Sequence, residues 1–334
     1  MTDQSVLVTG GAGFVGSHAC KALRQQGFLP VVYDNLGHGH RAAVKWGPLE
    51  IGDIAESSRL AAVIRHYKPV AVMHFASDIA VGESVADPGK YYRNNVAGTL
   101  SLLEAMRAYG PMRLVFSSSA AVYGNPQRLP LTEDHPQLPV SPYGATKHIC
   151  ERMIRDFATA HHLGAVALRY FNAAGADPDG ELGEEHEPET HLIPLILEVA
   201  AGERPAIDIF GDRYPTHDGT CVRDYVHVTD LAAAHVLALR RLLERGPGAT
   251  AYNLGTGTGN TVMEVVRAAR RVTGRKIATR IDEPRPGDPA ILLADGTRAN
   301  KELGWRPIHT DIDEIVRHAW RWRQGVQRRL AATA

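Results

Sequence analysis

The stretch SVLVTGGAGFVGSH, residues 5–18, places a short β-branched run directly before a glycine-rich turn and a helical pattern. Gly10, Gly13 and Gly16 are regularly spaced across this junction. Glycines here permit a tight turn, close approach of the backbone to a pyrophosphate, and close packing of the helix on the strand. The N-terminus of the helix adds free N–H groups and a partial positive charge. The stretch therefore predicts a strand–turn–helix unit that binds a dinucleotide.

The same strand-then-helix order repeats outward from this unit to about residue 170. Apolar runs that predict buried parallel strands lie at 5–9, 30–34, 70–75, 113–118 and 164–170, with a shorter run at 49–51. Helical patterns lie between them at 14–26, 57–67, 91–109 and 143–162. Alternating strands and helices predict an α/β fold with a doubly wound parallel sheet of the Rossmann type and right-handed crossovers.

The chain is long enough for two lobes, because single cores stop growing at roughly 250–300 residues and this chain has 334. After residue 172 the alternation breaks, and residues 173–190 are rich in glycine, proline and acidic side chains. We therefore predict a dinucleotide-binding domain at 1–172 and a smaller C-terminal α/β substrate lobe at 173–334. Residues 222–243 again give a strand followed by a helix, and we expect this segment to return to the first domain.

Composition excludes several classes of partner. Lys plus Arg and Asp plus Glu number 37 each, so no net charge favours nucleic acid or an anionic membrane. The three cysteines are odd in number and show no C-x-x-C spacing, and we find no signal peptide or long apolar run. We expect neither nucleic acid nor membrane as a partner, and a location in the reducing cytoplasm.

An acidic residue, Asp34, ends the second predicted strand about 20 residues after the glycine-rich turn. A carboxylate at this position can accept hydrogen bonds from both ribose hydroxyls of an adenosine. It also repels a 2′-phosphate. The dinucleotide is therefore predicted to be NAD and not NADP.

The residues that could react with a substrate follow the strand at 113–118. Ser119 lies at the carboxyl end of that strand, where ligands bind in open α/β sheets. Tyr143 and Lys147 occupy positions i and i+4 of a predicted helix, and Pro142 suits the start of that helix. A tyrosine with a pKa near 10 is ionised in roughly one part in a thousand at pH 7. A neighbouring Lys147 ammonium should favour the phenolate and make Tyr143 a usable base, while Ser119 hydrogen-bonds the substrate hydroxyl.

Motifs along nearly the whole chain carry a resemblance to a known family. They are VTGGAGFVGSH, YDNL, GDI, YYRNNVAGTL, FSSSAAVYG, SPYGATK, RYFNAAGA, FGDRYPTHDGTCVRDYVHV and YNLGTGTG. In these motifs the chain resembles the UDP-glucose 4-epimerases of the extended short-chain dehydrogenase/reductase superfamily. Through VKWG, HEPETHLIP and DGTCVRDY it looks closest to bacterial galactose epimerases that feed exopolysaccharide synthesis.

The resemblance implies an isomerase that inverts C4 of a UDP-sugar by transient hydride transfer to tightly bound NAD. It also implies a homodimer, formed through the helices at 91–109 and 143–162. The implied catalytic residues are Ser119, Tyr143 and Lys147. The implied NAD contacts are Gly10, Gly13, Phe14, Val15, Gly16, Asp34, Asn35, Leu36, Gly37, His38, Gly39, Asp53, Ile54, Phe75, Ala76, Ser77, Asp78, Ile79, Asn94, Ser119, Tyr143, Lys147 and Phe171. The implied UDP-sugar contacts are Ser119, Tyr143, Asn172, His191, Leu192, Phe210, Arg223, Arg285, Asp288 and Leu292.

Alternatives remain on the same fold. Nucleotide-sugar dehydratases and decarboxylases typically carry an acid directly after the catalytic serine or threonine, whereas this chain has Ala120 and Ala121, which cannot transfer a proton. A UDP-N-acetylglucosamine or UDP-pentose 4-epimerase, or a non-catalytic NAD-binding protein, would show the same motifs. Leu292 bears on the choice of sugar, because family members restricted to plain hexoses resemble one another in carrying a tyrosine at the matching position.

Two further stretches have competing interpretations. GEEHEPETH, residues 183–191, holds enough histidine and glutamate for a metal site, but it lacks a helical H-x-x-x-H pattern. We predict no metal there and a solvated loop beside the substrate. WRWRQGVQRR, residues 320–329, mixes tryptophan and arginine as nucleic-acid binders do. We predict instead a terminal helix that docks through Trp320 with its arginines in water.

Overall fold

The central feature is a seven-stranded parallel sheet, seen in a computed structural model that describes residues 4–110, 112–285 and 289–333. The strands of this sheet are β1 (Gln4–Thr9), β2 (Phe28–Asp34), β3 (Leu49–Ile51), β4 (Ala71–His74), β5 (Arg113–Ser117), β6 (Gly164–Tyr170) and β11 (Gly248–Leu254). Their order across the sheet is β11-β6-β5-β4-β1-β2-β3, and every neighbouring pair is parallel. The order reverses between β1 and β4, which creates a crevice at the carboxyl edge.

Helices cover both faces of this sheet because alternate strand residues point to opposite sides. Val6 and Val8 face one core, while Leu7 faces the other. The first face packs against α1 (Phe14–Gln25), α8 (Val228–Glu244) and α10 (Thr297–Leu303). The second packs against α2 (Ser57–Tyr67), α5 (Gly98–Tyr109) and α6 (Pro142–His161). The predicted doubly wound α/β fold is confirmed.

A third apolar core lies beside the sheet and is built mainly from the C-terminal half of the chain. Its helices are α7 (Leu192–Ala201), α9 (Val262–Thr273) and α11 (Ile312–Thr333). The short strands of this region are β7 (Asn172–Ala174), β8 (Ile207–Phe210), β9 (Val222–Arg223), β10 (Tyr225–His227), β12 (Asn260–Thr261), β13 (Thr279–Asp282) and β14 (Ile291–Leu292). Trp320 of α11 packs against this core, as predicted for the terminal helix.

The predicted helix at 91–109 is not a single regular helix. Short helices α3 (Val81–Ala86) and α4 (Pro88–Tyr91) precede a π-helical segment at Tyr92–Ala97, which continues directly into α5. The wider π turn contains Asn95, whose side-chain amide donates to the Asp78 carbonyl oxygen and to Thr146 Oγ1. Apolar periodicity does not reveal this insertion, because the side chain that uses it is polar.

The seventh strand is the other difference from expectation. Residues 222–243 give β9, β10 and α8, and α8 packs on the first face of the sheet as predicted. The chain then adds β11 beside β6, so Gly248–Leu254 also joins the large sheet. The sequence places these residues in the substrate lobe, and the structure corrects this. The division at residue 172 otherwise stays a prediction.

Two simple features complete the description. Cys20, Cys150 and Cys221 are buried, and none of the three forms a disulfide. Within the described ranges, each helix is too short or too polar to cross a bilayer.

Candidate active site

The glycine-rich turn lies at the carboxyl end of β1, where backbone packing explains two of its glycines. Gly10 has a φ of +71°, and a Cβ there would lie 2.4 Å from the backbone nitrogen of Ala76. A Cβ on Gly16 would lie 2.2 Å from the carbonyl oxygen of Gly10. Gly13 is the N-cap of α1 and has no side chain with which to cap it. The first amides of α1 can therefore serve an anion from outside the chain.

Asp34 joins the end of β2 to this turn. One carboxylate oxygen accepts from the backbone N–H of Ala12 at 3.0 Å, and the other accepts from that of Leu36 at 2.9 Å. Asn35 donates through Nδ2 to the Asp53 carboxylate at 2.9 Å. Gly39 packs so closely on Ala12 that a Cβ added at Gly39 would lie 2.8 Å from the Ala12 Cβ. The segments after β1, β2 and β3 thus meet where an adenosine is predicted to bind.

The segments that follow β1, β2 and β3 form a rim at the carboxyl edge of the sheet, and the segment after β4 extends this rim. The backbone amides of Phe75 and Ala76 both donate to the carbonyl oxygen of Thr9. The Asp78 amide donates to Asn95 Oδ1 at 2.8 Å, and His38 Nε2 lies 3.6 Å from the Asp78 carboxylate. Burial raises the pKa of Asp78, against the lowering effect of Lys90 and His38.

Most of the remaining predicted NAD contacts lie along the same rim. Ile54 is buried against Gly98, and α1 starts with Phe14 and Val15. The Gly37 amide donates to Asn35 Oδ1. Ser77 Oγ donates to the Asp78 carbonyl oxygen, and Asn94 Nδ2 donates to Asn95 Oδ1. Ile79 is exposed, and Phe171 packs near the turn that follows Ser119.

The three predicted catalytic residues come together at the carboxyl end of β5. Ser119 lies beside the Tyr143 phenol, whose pKa it acts to lower, and its Oγ accepts from the Ala121 amide at 3.1 Å. Lys147 Nζ donates to the Ser117 carbonyl oxygen at 2.9 Å and lies 5.9 Å from the centre of the Tyr143 ring. α6 starts with Pro142 and is capped by Ser141, which fixes the tyrosine on its first turn.

Burial dominates the electrostatics of this group. It raises the pKa of the Tyr143 phenol, and Ser119 acts in the opposite direction. Burial also lowers the pKa of Lys147 to about 8, although Cys150 and Glu151 oppose the change. The sequence predicts that Lys147 lowers the pKa of Tyr143, but in this structure the net direction is upward because of burial. A sequence does not reveal how deeply Tyr143 is buried, and this desolvation sets the direction of its pKa shift.

The predicted sugar-nucleotide contacts lie on the short strands and on α7. Asn172 begins β7, while His191 and Leu192 form the N-terminal end of α7. The Arg285 guanidinium lies 4.0 Å from the centre of the Phe210 ring. Asp288 lies outside the described residues.

Two of these contacts are neighbours in one small sheet. Arg223 of β9 is opposite Leu292 of β14, and its Nη1 donates to the Pro289 carbonyl oxygen at 2.9 Å. Arg223, which carries the positive charge, and Leu292, which is predicted to bear on the choice of sugar, therefore lie on adjacent strands.

Sequence reasoning missed a buried polar network behind Ser119. Glu151 of α6 accepts from Ser118 Oγ at 2.6 Å and forms a fully buried ion pair with Arg169 of β6. Arg169 also donates to the Tyr123 hydroxyl at 2.8 Å, which donates to Asn253 Oδ1 of β11 at 2.6 Å. The available signal was an arginine inside the apolar run GAVALRY, because a buried arginine needs an anionic partner.

Comparison with known proteins identifies the family and the fold. Residues 6–255 match the model of the NAD dependent epimerase/dehydratase family. The chain belongs to this family. The match ends one residue after β11, so it spans the whole seven-stranded sheet of this epimerase/dehydratase family member apart from the first two residues of β1.

Individual relatives of this epimerase/dehydratase family member narrow the resemblance. A UDP-glucose 4-epimerase from Rhizobium leguminosarum bv. trifolii is 51% identical over 322 residues, which cover 96% of this chain and 98% of that protein. A crystal structure of UDP-glucose 4-epimerase from Brucella ovis in complex with NAD is 54% identical, with a TM-score of 0.93 over 95% of this chain and 97% of the other. The Bifidobacterium longum UDP-glucose 4-epimerase in complex with NAD+ and UDP is 39% identical, with a TM-score of 0.92 over 96% and 98%. The resemblance predicted from the motifs is confirmed.

Proposed function

We propose that this chain is an isomerase that inverts C4 of a UDP-sugar, interconverting UDP-glucose and UDP-galactose, with NAD as its resident cofactor. The observation that carries the proposal is the meeting of Ser119, Tyr143 and Lys147 at the carboxyl edge of a Rossmann-type sheet, with Lys147 Nζ 5.9 Å from the centre of the Tyr143 ring. A non-catalytic NAD-binding protein has no need of a base in this position. Ala120 and Ala121 follow Ser119 and supply no second acid, which favours epimerisation over dehydration.

The residues at the carboxyl edge fit NAD. The uncapped start of α1 suits a pyrophosphate, and Asp34 is fixed at the end of β2 where it can accept from ribose hydroxyls. NAD held there would supply a reversible hydride acceptor for C4 of the sugar. Because such a cofactor ends each turnover as it began, the chain has reason to hold it tightly.

The chain itself handles the proton. Tyr143 takes the proton of the C4 hydroxyl as the 4-keto sugar forms and gives it back when the hydroxyl is restored. Ser119 orients that hydroxyl and favours the phenolate. The Lys147 ammonium adds positive charge on the same side and is positioned by the Ser117 carbonyl oxygen.

Epimerisation further requires the keto sugar to present both faces while the nucleotide stays bound. Arg223 and Arg285 carry the charge that would hold the diphosphate, and Phe210 supports Arg285 by stacking. The sugar can then turn about its bond to the diphosphate between the two hydride transfers. His191, Leu192 and Asn172 would complete the pocket on its other sides.

We also propose a cytoplasmic homodimer. Cysteines that form no disulfide with one another suit a reducing compartment. Tyr92 and Leu100 are large apolar side chains on the predicted interface helix, yet 41% and 38% of their surface is exposed in one chain. A second copy would cover them. A role in supplying sugar nucleotides for exopolysaccharides rests on the sequence resemblance alone.

Turnover of a panel of UDP-sugars tests this function, with UDP-glucose, UDP-galactose, their N-acetyl forms and UDP-pentoses each supplied to the purified protein. We expect conversion of UDP-galactose to UDP-glucose in an assay coupled to UDP-glucose oxidation. Tyr143→Phe removes one hydroxyl and should lower kcat by about two to four orders of magnitude, while UDP binding is kept. Undiminished turnover in Tyr143→Phe would rule out the base assigned here.

A further inference from the structure

The segment between β7 and α7 gathers two histidines and two glutamates at one point. We call them the loop cluster, formed by Glu184, His186, Glu189 and His191. One nitrogen or oxygen of each residue lies within 4.8 Å of the corresponding atom of every other. His186 Nδ1 is 3.4 Å from Glu184 Oε1 and 3.6 Å from Glu189 Oε2, and His191 Nδ1 contacts the same Glu184 oxygen. Four potential donor atoms thus lie close together.

The distances from His186 to the two carboxylates suit a small divalent ion, whereas His191 and Glu184 would have to separate to ligate the same ion. Ligands held at about 2.0–2.1 Å around a tetrahedral zinc ion stand roughly 3.3–3.4 Å from one another. The two distances from His186 Nδ1 are close to this value before any adjustment of the side chains.

Burial makes the charge of the cluster costly without a cation. The side chain of Glu184 is 5% exposed and that of Glu189 is 9% exposed. Our interpretation of GEEHEPETH as a solvated loop is therefore wrong for these carboxylates, because the fold turns them inward. In this structure His186 and His191 pair with the carboxylates, and a divalent cation would take over that balance while the imidazoles become neutral, which is the form that ligates metals.

Contacts around the cluster hold its members in place. Glu189 Oε1 accepts from the backbone amides of Thr190 at 2.7 Å and His191 at 2.8 Å, which leaves Oε2 for the centre of the cluster. His191 is the N-cap residue of α7. His40, from the segment after β2, contacts the Glu185 carbonyl oxygen at 3.2 Å. In known metal sites, hydrogen bonds made to the ligating residues hold those residues in position.

We propose that the loop cluster binds one divalent cation of the zinc class and that this ion fastens residues 184–191 to the start of α7. Two imidazoles select against Mg²⁺ and Ca²⁺, which prefer oxygen ligands. Four protein ligands leave no open position, so the ion is structural and not catalytic. His191 would bind the metal through Nδ1 and keep Nε2 for the sugar nucleotide.

The test is a zinc titration of untagged, NAD-containing protein after removal of metals with a chelator. Competition with a chromophoric chelator gives the affinity, and atomic emission gives the stoichiometry. We expect about one zinc per chain and a rise in melting temperature on binding. His186→Ala should weaken binding at least as much as the roughly 10–100-fold known for changes around metal ligands, and should abolish the rise.

A matched control is His217→Ala, since His217 is also near two carboxylates, Asp218 at 3.7 Å and Glu264 at 3.4 Å, but is largely exposed. Its zinc affinity should equal that of the unchanged protein. Glu189→Gln provides a second, isosteric variant, and retained NAD shows that each variant is folded. Binding well below one zinc per chain, or equal affinities in His186→Ala, Glu189→Gln and His217→Ala, would overturn the proposal.

Discussion

The phenol of Tyr143 and the ammonium of Lys147 share one apolar environment, and burial drives each toward its neutral form. The pKa of the phenol is raised, whereas the pKa of the ammonium is lowered to about 8. The two groups are needed in their charged forms for base catalysis, so both charged fractions limit the rate. Their opposite shifts give the free enzyme a definite dependence on pH.

We expect log kcat/KM for UDP-galactose to rise toward pH 8 and then to level off. Below pH 8 the ionised fraction of Tyr143 grows about tenfold per pH unit while Lys147 stays protonated. Above pH 8 the protonated fraction of Lys147 falls about tenfold per pH unit while the ionised fraction of Tyr143 rises by the same factor. The product of these two fractions therefore stays constant. In Lys147→Arg the guanidinium keeps its charge, and the rise should continue beyond pH 8. Profiles of the same shape for both proteins would contradict this account.

Leu292 gives a second prediction at this scale, on the choice of sugar. A leucine leaves more room than a tyrosine beside C2 of the sugar, so we expect weak to moderate turnover of UDP-N-acetylglucosamine beside good turnover of UDP-glucose. Leu292→Tyr should abolish the acetylated activity and spare the other, because overfilling a site affects the bulkier ligand. The measurement is the ratio of the two kcat/KM values.

Leu293→Tyr is a useful control for this experiment, since it changes the neighbouring residue just after β14 by the same chemistry. It should not reproduce the selective loss. An unchanged ratio in Leu292→Tyr would mean that another residue sets the size limit.

Helix α6 depends on the buried Glu151–Arg169 pair for its attachment to the sheet. Glu151 lies one turn after Lys147 and links α6 to β5 through Ser118 and to β6 through Arg169. The pair thus supports the element that carries Tyr143. A buried charge left without its partner is strongly unfavourable, whereas removal of both charges is tolerated better.

Arg169→Met should therefore lower the free energy of unfolding by about 3–5 kcal/mol, measured by urea denaturation. The double variant Glu151→Leu/Arg169→Met should recover most of that loss, since no buried charge remains. A double variant as unstable as the single one would show that packing, and not charge, holds α6 in place.

Elements of this kind differ in how well a sequence predicts them. β1 and α1 were predictable because a β-branched run, a glycine turn and a helical period each mark a boundary. β11 was not, since threonine is the one β-branched residue in GATAYNL. It becomes a strand because the exposed edge of β6 supplies its hydrogen bonds. The Glu151–Arg169 pair was missed for the same reason, because long-range pairing is absent from local patterns.

For the whole molecule, the exposed apolar side chains on the π-helical segment and α5 lead to a prediction of quaternary structure. We expect a homodimer in sedimentation velocity, and Leu100→Glu should shift it toward monomer by placing a charge in the interface. Ile308→Glu is a matched control, because Ile308 is 75% exposed but lies far along the chain from both predicted interface helices. A monomer at all protein concentrations would refute the proposed assembly.

The candidate site as a whole was predicted well where one motif supplies both residue and position. Ser119, Tyr143 and Lys147 meet as expected because β5 and α6 bring them to one edge. The loop cluster was not predicted, because its four side chains lie on irregular backbone whose path depends on α7 and on the segment after β2. Periodicity carries no information about such a path.

The late arrival of β11 has a consequence for anyone who recombines this chain with a relative. A hybrid joined once, at residue 172, would take β6 from one parent and β11 from the other, and the two must match along Gly164–Tyr170 and Gly248–Leu254. Exchanging the sugar-binding part alone needs further junctions on either side of residues 228–254, so that α8 and β11 stay with the parent of the sheet. The large sheet and the sugar-binding part are separate in space, but each is built from segments that alternate along the chain.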